Sequence, residues 1–134
     1  MNDLTIKSTS SLESSEEFLK INKNHGAIHG QVQKIFYRDK DTRQFVIYIP
    51  SLGITGYGGT IKKADEMVKF SINDFFGYLL NLSIKNMEEE LQELGWKKNQ
   101  IHHKEYSKTV VSIDGELKNF NAVGDSVKVE ALNV

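Results

Sequence analysis

The chain has 134 residues, of which 39% are hydrophobic and 10% are aromatic, and its 17 basic and 18 acidic residues give a net charge of -1. This size and composition predict one globular domain with a modest core. The near-neutral charge argues against a dedicated nucleic-acid binder, and the lack of cysteine excludes disulfides, thiolate metal ligands and cysteine nucleophiles.

The chain also lacks the patterns typical of membrane and secreted proteins. No apolar run is long enough to span a bilayer. The first residues do not show the basic and then apolar pattern of a secretion signal. We therefore expect a cytoplasmic protein that does not associate with membranes.

The N-terminal part is polar and then predicts a short helix. Ser10 or Ser11 can cap this helix, and Asn24-His25-Gly26 reads as its end. Its apolar positions are Leu12, Phe18, Leu19 and Ile21. We interpret residues 1–27 as an N-terminal extension with a short helix, and residues 28–134 as a single α+β domain.

Three strand candidates follow. The first spans Gln31–Tyr37 and leads through a charged hairpin turn to Phe45–Ile49, which is apolar throughout and therefore predicted to be central and buried on both faces. Pro50 should end that strand, because proline cannot donate to a sheet. The third strand, Gly53–Tyr57, is short, and its glycines indicate an edge or a close backbone approach.

A long amphipathic helix is the clearest prediction. Thr60 is a suitable N-cap, and apolar residues recur at spacings of three and four over Ile61–Leu82. The predicted core stripe contains Ile61, Ala64, Val68, Ile72, Phe75 and Leu79, widened by Met67, Phe76 and Leu80.

The remainder of the chain predicts a second helix and two strands. Asn86 and Glu89 form a capping-box pattern for a helix that Gly95 ends. Strand patterns follow at Thr109–Ile113 and Val127–Leu132. The whole pattern predicts an α+β fold: an antiparallel sheet of three to five strands with one long helix packed on one face, plus short helices.

The histidines do not show the spacing of a metal site. His25 and His29 are four apart, but the glycines around them disfavour the helix on which that spacing would matter. His102 and His103 are adjacent and would point to opposite faces of a strand. We therefore predict surface histidines, no metal site and no cofactor.

Patterns for catalysis are missing as well. The first two strand candidates contain no carboxylate, although a two-metal nuclease would need several converging there. The segment Gly56-Tyr57-Gly58-Gly59-Thr60 precedes a helix but lacks the Gly-Lys-Ser/Thr ending of a P-loop. We interpret it as a structural turn, and we do not predict an enzyme.

Two lysines stand out at the start of the long helix. Lys62 and Lys63 lie in the first turn, where the helix dipole disfavours cations. An acidic partner binds there, the nearby Asp65 and Glu66 compensate the charge, or the two lysines are simply a tolerated surface pair, which is the simplest interpretation.

The segment from Pro50 to Ala64, PSLGITGYGGTIKKA, resembles the core of HicB-type antitoxins. The family shows a hairpin, a proline-led segment with glycine and threonine, and then a helix, and the resemblance covers about residues 30–82. It implies a partial ribonuclease-H-like fold without nuclease activity. It also implies a protein that binds and blocks a small HicA-like mRNA interferase and forms a homodimer or higher oligomer.

The sequence departs from the family pattern at several points. The proline expected before Gly53 is missing, and Lys62 and Lys63 replace the acids usual near the helix start. The tail from Lys97 shows no helix-turn-helix, so we do not expect DNA binding through such a motif. The predicted partner-binding residues are Ile54, Thr55, Tyr57, Thr60, Lys62 and Lys63, and the edge strand could in addition pair with its own copy.

A second resemblance gives an alternative function. The order of one helix, three strands and a second helix is similar to that of double-stranded-RNA-binding domains, in which lysines at a helix start contact phosphates. Lys62 and Lys63 would then bind RNA, although Asp65 and Glu66 next to them would repel phosphate.

Overall fold

The computed structural model describes residues 17–98, 105–108 and 128–134. The strand predicted at Thr109–Ile113, the residues His102 and His103, and the predicted cap at Ser10 or Ser11 with Leu12 lie outside these residues. The described elements are the strands β1 (Glu17–Asn22), β2 (Ala27–Arg38), β3 (Phe45–Ile49), β4 (Ile54–Gly58), β5 (Trp96–Lys98), β6 (Glu105–Lys108) and β7 (Lys128–Asn133), and the helices α1 (Ile61–Asn81) and α2 (Ile84–Glu93).

The predicted α+β class is confirmed, with an antiparallel sheet and the long helix packed on one face. Strands β2, β3 and β4 match the three strand candidates, and β2 begins earlier, at Ala27. Among the described residues the sheet has seven strands, in the order β4-β3-β2-β1-β6-β5, with β7 paired to β2. It exceeds the expected three to five strands because β1 and the C-terminal strands also join it.

The predicted N-terminal helix is wrong for the residues from Glu17 onward. They form β1, which pairs with both β2 and β6. Leu19 and Ile21 are buried in the core, whereas Phe18 and Lys20 are half-buried on the opposite face, which is the two-residue period of a strand. This strand belongs to the sheet and is not part of an extension.

Strand β2 is the centre of the sheet because it has neighbours along both edges. Along one edge, Ala27–Gln31 pairs with β1 and Ile35–Arg38 pairs with β3. The other edge pairs with β7. Between β1 and β3, the backbone N–H of Gln33 donates to the buried carboxylate of Glu17 at 2.8 Å. This side chain fills the gap in the backbone ladder, where an unpaired buried N–H would be destabilising.

The core lies between one face of the sheet and the two helices. Helix α1 is capped by Thr60, whose hydroxyl accepts from the N–H of Lys63 at 3.1 Å, as predicted. The strands contribute Leu19, Val32, Ile47, Ile49 and Ile54, and α1 contributes Ala64, Val68, Ile72, Phe76 and Leu79. The buried Trp96 closes the end of the core, and its indole N–H donates to the carbonyl of Ser51 at 2.9 Å.

Helix α2 begins earlier than its sequence pattern suggested. Its N-cap is Ser83, whose hydroxyl accepts from the N–H of Asn86 at 3.1 Å, so the predicted cap at Asn86 is wrong. A serine between two helices satisfies the first free N–H groups of the second helix. None of the helices in the described part of the chain combines the length and the apolar character that crossing a bilayer requires.

Candidate protein-binding surface

Two glycines of β4 allow α1 to pack directly on the sheet. A Cβ added to Gly56 would lie 2.6 Å from Cγ2 of Val68 and 2.8 Å from the carbonyl oxygen of Ala64. A Cβ added to Gly58 would lie 2.6 Å from Cβ of Lys63. These are too close for real atoms, so the glycines are required by the close approach that their sequence pattern predicted.

The predicted partner-binding residues of β4 lie on opposite faces of the strand. Ile54 is buried, faces α1 and belongs to the core, so it is not available to a partner. Thr55 and Tyr57 are exposed on the other face of the sheet, which we call the outer face. The side chain of Tyr57 is 51% exposed.

Part of the outer face is buried and not accessible to solvent. Ile35 and Val46 lie on it and are buried, and Val46 is the cross-strand neighbour of Tyr57. Burial and then the charge of Asp39 raise the pKa of Tyr37 on the same face. The accessible part of this face near β4 is therefore Thr55 and Tyr57.

The predicted partner-binding residues at the start of α1 also point in different directions. Thr60 is exposed but serves as the N-cap of α1. Lys62 and Lys63 are both exposed, and as consecutive helical residues they point about 100° apart around the axis. The structure therefore places Lys62 and Lys63 on different sides of α1.

The free edge of β4 is partly covered by α1. The backbone N–H of Tyr57 points away from β3 and donates to Sδ of Met67 at 3.4 Å. Pairing of this edge with the edge of a second copy would have to displace that sulfur. The predicted self-pairing through β4 is thus opposed at Tyr57.

A line of exposed side chains runs along α1 beside this edge. We call it the exposed flank, and it consists of the side chains of Lys63, Met67, Phe70 and Asp74 and of the exposed Gly77, which has no side chain. Phe70 is 72% exposed and Met67 is 37% exposed. The assignments of Met67 and Ile61 to the core stripe are therefore wrong: the sulfur of Met67 covers the sheet edge, and Ile61 is 54% exposed at the start of the helix.

The opposite flank of α1 carries a closed ion pair. Nζ of Lys69 lies 2.8 Å from a carboxylate oxygen of Asp65, one helical turn away. The hydrogen bond and then the charge of Asp65 raise the pKa of Lys69. By contrast, Lys63 and Asp74 of the exposed flank form no ion pair with any residue that the structure describes.

The histidines and carboxylates of the described residues do not cluster as metal ligands would. His25 lies in a short 3-10 turn and His29 in the middle of the sheet. Over residues 17–98, 105–108 and 128–134, no group of three histidines or carboxylates is placed to hold a metal ion.

Sequence reasoning missed Phe70, the most exposed large apolar residue among those described. A signal was present, because Phe70 falls off the apolar stripe of α1 and occupies a position where a polar residue is usual. An aromatic residue there has no packing role within the helix. The apolar periodicity of α1 therefore already indicated that Phe70 lies outside the core.

Comparisons of the chain with protein-family models, with curated proteins and with solved structures returned no match.

Proposed function

We propose that this chain is a non-catalytic, HicB-like protein-binding module that neutralises a small HicA-like mRNA interferase. The proposed contact is an end patch formed by Thr55, Tyr57, Thr60, Ile61 and Lys62, where the last strand of the hairpin turns into α1.

One observation carries the proposal. Within five residues of chain, Tyr57 and Ile61 expose 51% and 54% of their surface, next to the exposed Lys62. Tyrosine and other aromatic side chains are enriched at protein interfaces and among the residues that carry most of their binding energy. An isolated exposed apolar residue would carry no such weight.

The rigidity of the patch supports the same function. Gly56 and Gly58 bring α1 into direct contact with β4, so Tyr57 and the helix start are held by packed elements on both sides. A surface that is already ordered loses little conformational entropy when a partner binds. Strands β2, β3 and β4 contain no Asp or Glu, which supports a binding module rather than a nuclease.

The alternative of double-stranded-RNA binding has weaker support. It requires Lys62 and Lys63 to contact one phosphate backbone, but they point to different sides of α1. Asp65 binds Lys69 on the side of Lys62, and Glu66 is exposed in the same turn. These acids would repel phosphate.

The experiment mixes the purified chain with the product of a short basic reading frame beside its gene. We measure affinity by calorimetry and the inhibition of RNA cleavage by that product. Tyr57→Ala should weaken binding by at least about tenfold, which corresponds to ~1.4 kcal/mol, since tyrosine is enriched among the residues that carry most of the binding energy of an interface. His29→Ala, which alters an exposed residue elsewhere on the outer face, should leave the affinity unchanged.

Two results would overturn the proposal. In one, the neighbouring product does not bind, or binds Tyr57→Ala and Lys62→Ala as tightly as the wild type. In the other, the chain binds duplex RNA at low salt and loses that binding in Lys62→Ala, which would favour the RNA alternative.

A further inference from the structure

The exposed flank of α1 has the spacing of a helix–helix interface. Lys63, Met67, Phe70, Asp74 and Gly77 follow one another at intervals of four, three, four and three residues. This repeat places side chains along one seam of a helix, as in coiled coils. In the described chain no element packs on the exposed flank beyond the edge of β4, and Phe70 is 72% exposed.

The residues of the exposed flank form a symmetric chemical pattern. Two apolar residues, Met67 and Phe70, occupy its middle. A cation, Lys63, lies four residues before Met67, and an anion, Asp74, lies four residues after Phe70. Reversing the direction of the helix exchanges the two apolar residues with each other and the cation with the anion.

We propose that the exposed flank binds the same flank of a second copy of this chain, with the two α1 helices antiparallel about a two-fold axis between Met67 and Phe70. Met67 then faces Phe70 of the second copy, and Phe70 faces Met67. In the same register Lys63 faces Asp74 of the second copy, so two ion pairs flank an apolar centre. A two-fold interface requires this self-complementarity, because each surface meets its own copy.

The charges on the exposed flank favour a second copy of the chain as its binding partner. On the opposite flank, Asp65 and Lys69 already satisfy each other within the chain at 2.8 Å. Lys63 and Asp74 are eleven positions apart on one helix and cannot meet within it. They are both exposed, and the antiparallel register pairs both at once.

Gly77 is a second feature that the isolated chain does not explain. Glycine destabilises a helix interior relative to alanine, and a Cβ added to Gly77 would meet nothing within 4 Å. In the proposed register Gly77 faces Thr60 of the second copy. A residue without a side chain allows the capped start of the other helix to approach there.

The dimer goes beyond the proposed function and does not depend on it. The two surfaces share only Thr60: Thr55 and Tyr57 of the end patch point to the outer face of the sheet, whereas the exposed flank lies along α1. Binding of a toxin can therefore fail while the dimer forms, and the dimer can fail while the toxin binds.

The test uses sedimentation velocity on the purified full chain over a concentration series. The wild type should be a dimer, and Phe70→Asp should raise its dissociation constant by at least about a hundredfold, because a charge would enter the apolar centre. Lys63→Glu and Asp74→Lys should each weaken the dimer by roughly tenfold, because the two-fold axis repeats each like-charge contact. The double variant Lys63→Glu/Asp74→Lys should restore the wild-type dimer, since it exchanges the charges within the same register.

Lys62→Glu is the matched control, because it reverses a charge one residue away on the other side of the helix, and it should not change the dimer. Circular dichroism of each variant verifies that the chain is folded. A monomeric wild type, or single charge reversals without effect, would overturn the proposal. So would a chain that is monomeric alone and uses Phe70 only to bind a different protein.

Discussion

Ala64, Val68 and Ile72 of α1 are buried against the sheet, whereas Met67, Phe70 and Asp74 on the exposed flank of the same helix are exposed. The buried side is complete within one chain, and its glycine-lined contact with β4 leaves no room for another atom. The exposed flank has apolar side chains without a cover and charges without a partner among the described residues. The first side stabilises the fold of a single chain, and the second is the side that we propose binds a second copy.

The largest expected effect is the loss of stability when a buried side chain of α1 is truncated, compared with truncation of an exposed side chain of the same helix. Leu79→Ala, at a fully buried position, should reduce the free energy of unfolding by about 2–5 kcal/mol. Phe70→Ala removes a larger side chain but should change it by no more than about 0.5 kcal/mol at concentrations where the chain is monomeric. Urea unfolding followed by circular dichroism measures both. A loss of stability in Phe70→Ala as large as that in Leu79→Ala would contradict the distinction.

Two glycine substitutions test the same contrast between the buried and the exposed side of α1. Gly56→Ala should destabilise the chain by roughly 1–3 kcal/mol, because the new methyl group would lie within 2.8 Å of Ala64 and Val68. Gly77→Ala should stabilise the monomer by about 0.5–1 kcal/mol, since the methyl group meets nothing and alanine favours the helix. Thermal and urea unfolding of the two variants should therefore shift in opposite directions. Stabilisation by Gly56→Ala would show that α1 does not approach β4 as described.

The smallest expected effect concerns the ion pair on the opposite flank. Since Asp65 raises the pKa of Lys69 above the ordinary value of 10.5, the pair stabilises the fold below that pH. Its contribution is lost as the pH rises through the folded pKa. Asp65→Asn should therefore weaken the fall in stability above pH 10.5. The titration of Tyr37 is common to both proteins, so it cancels when the variant is compared with the wild type. If the two proteins lose stability identically at alkaline pH, the ion pair is not formed.

The local sequence pattern was sufficient to predict the strands β2, β3 and β4 and the helix α1. Three strands, the end of β3 before Pro50, the Thr60 cap and the long helix are confirmed, because each depends on residues close together in the chain. The prediction failed at β1, where serines and acids before Leu19 resemble a helix start. That segment is a strand because β2 and β6 pair with it on both sides, and such long-range pairing is not visible in local composition.

The candidate surface could be predicted only in part. Thr55, Tyr57 and Lys62 are exposed where a contact was expected, but Ile54 is core. The alternation of β4 determines which residues face α1, and the sequence does not specify on which face the helix packs. The exposure of Met67 depends on the position of α1 across the edge of β4, which only the three-dimensional packing reveals.

Methyl-resolved NMR of the methionines tests the central contrast most directly, because Met67 lies on the exposed flank and Met87 is buried in the core. We expect the Met67 methyl signal to shift when the chain is diluted from millimolar to micromolar concentration, while the Met87 signal stays fixed as an internal control. A Met67 signal that is unchanged by dilution would contradict the account, because the exposed flank would then not bind a second copy of the chain.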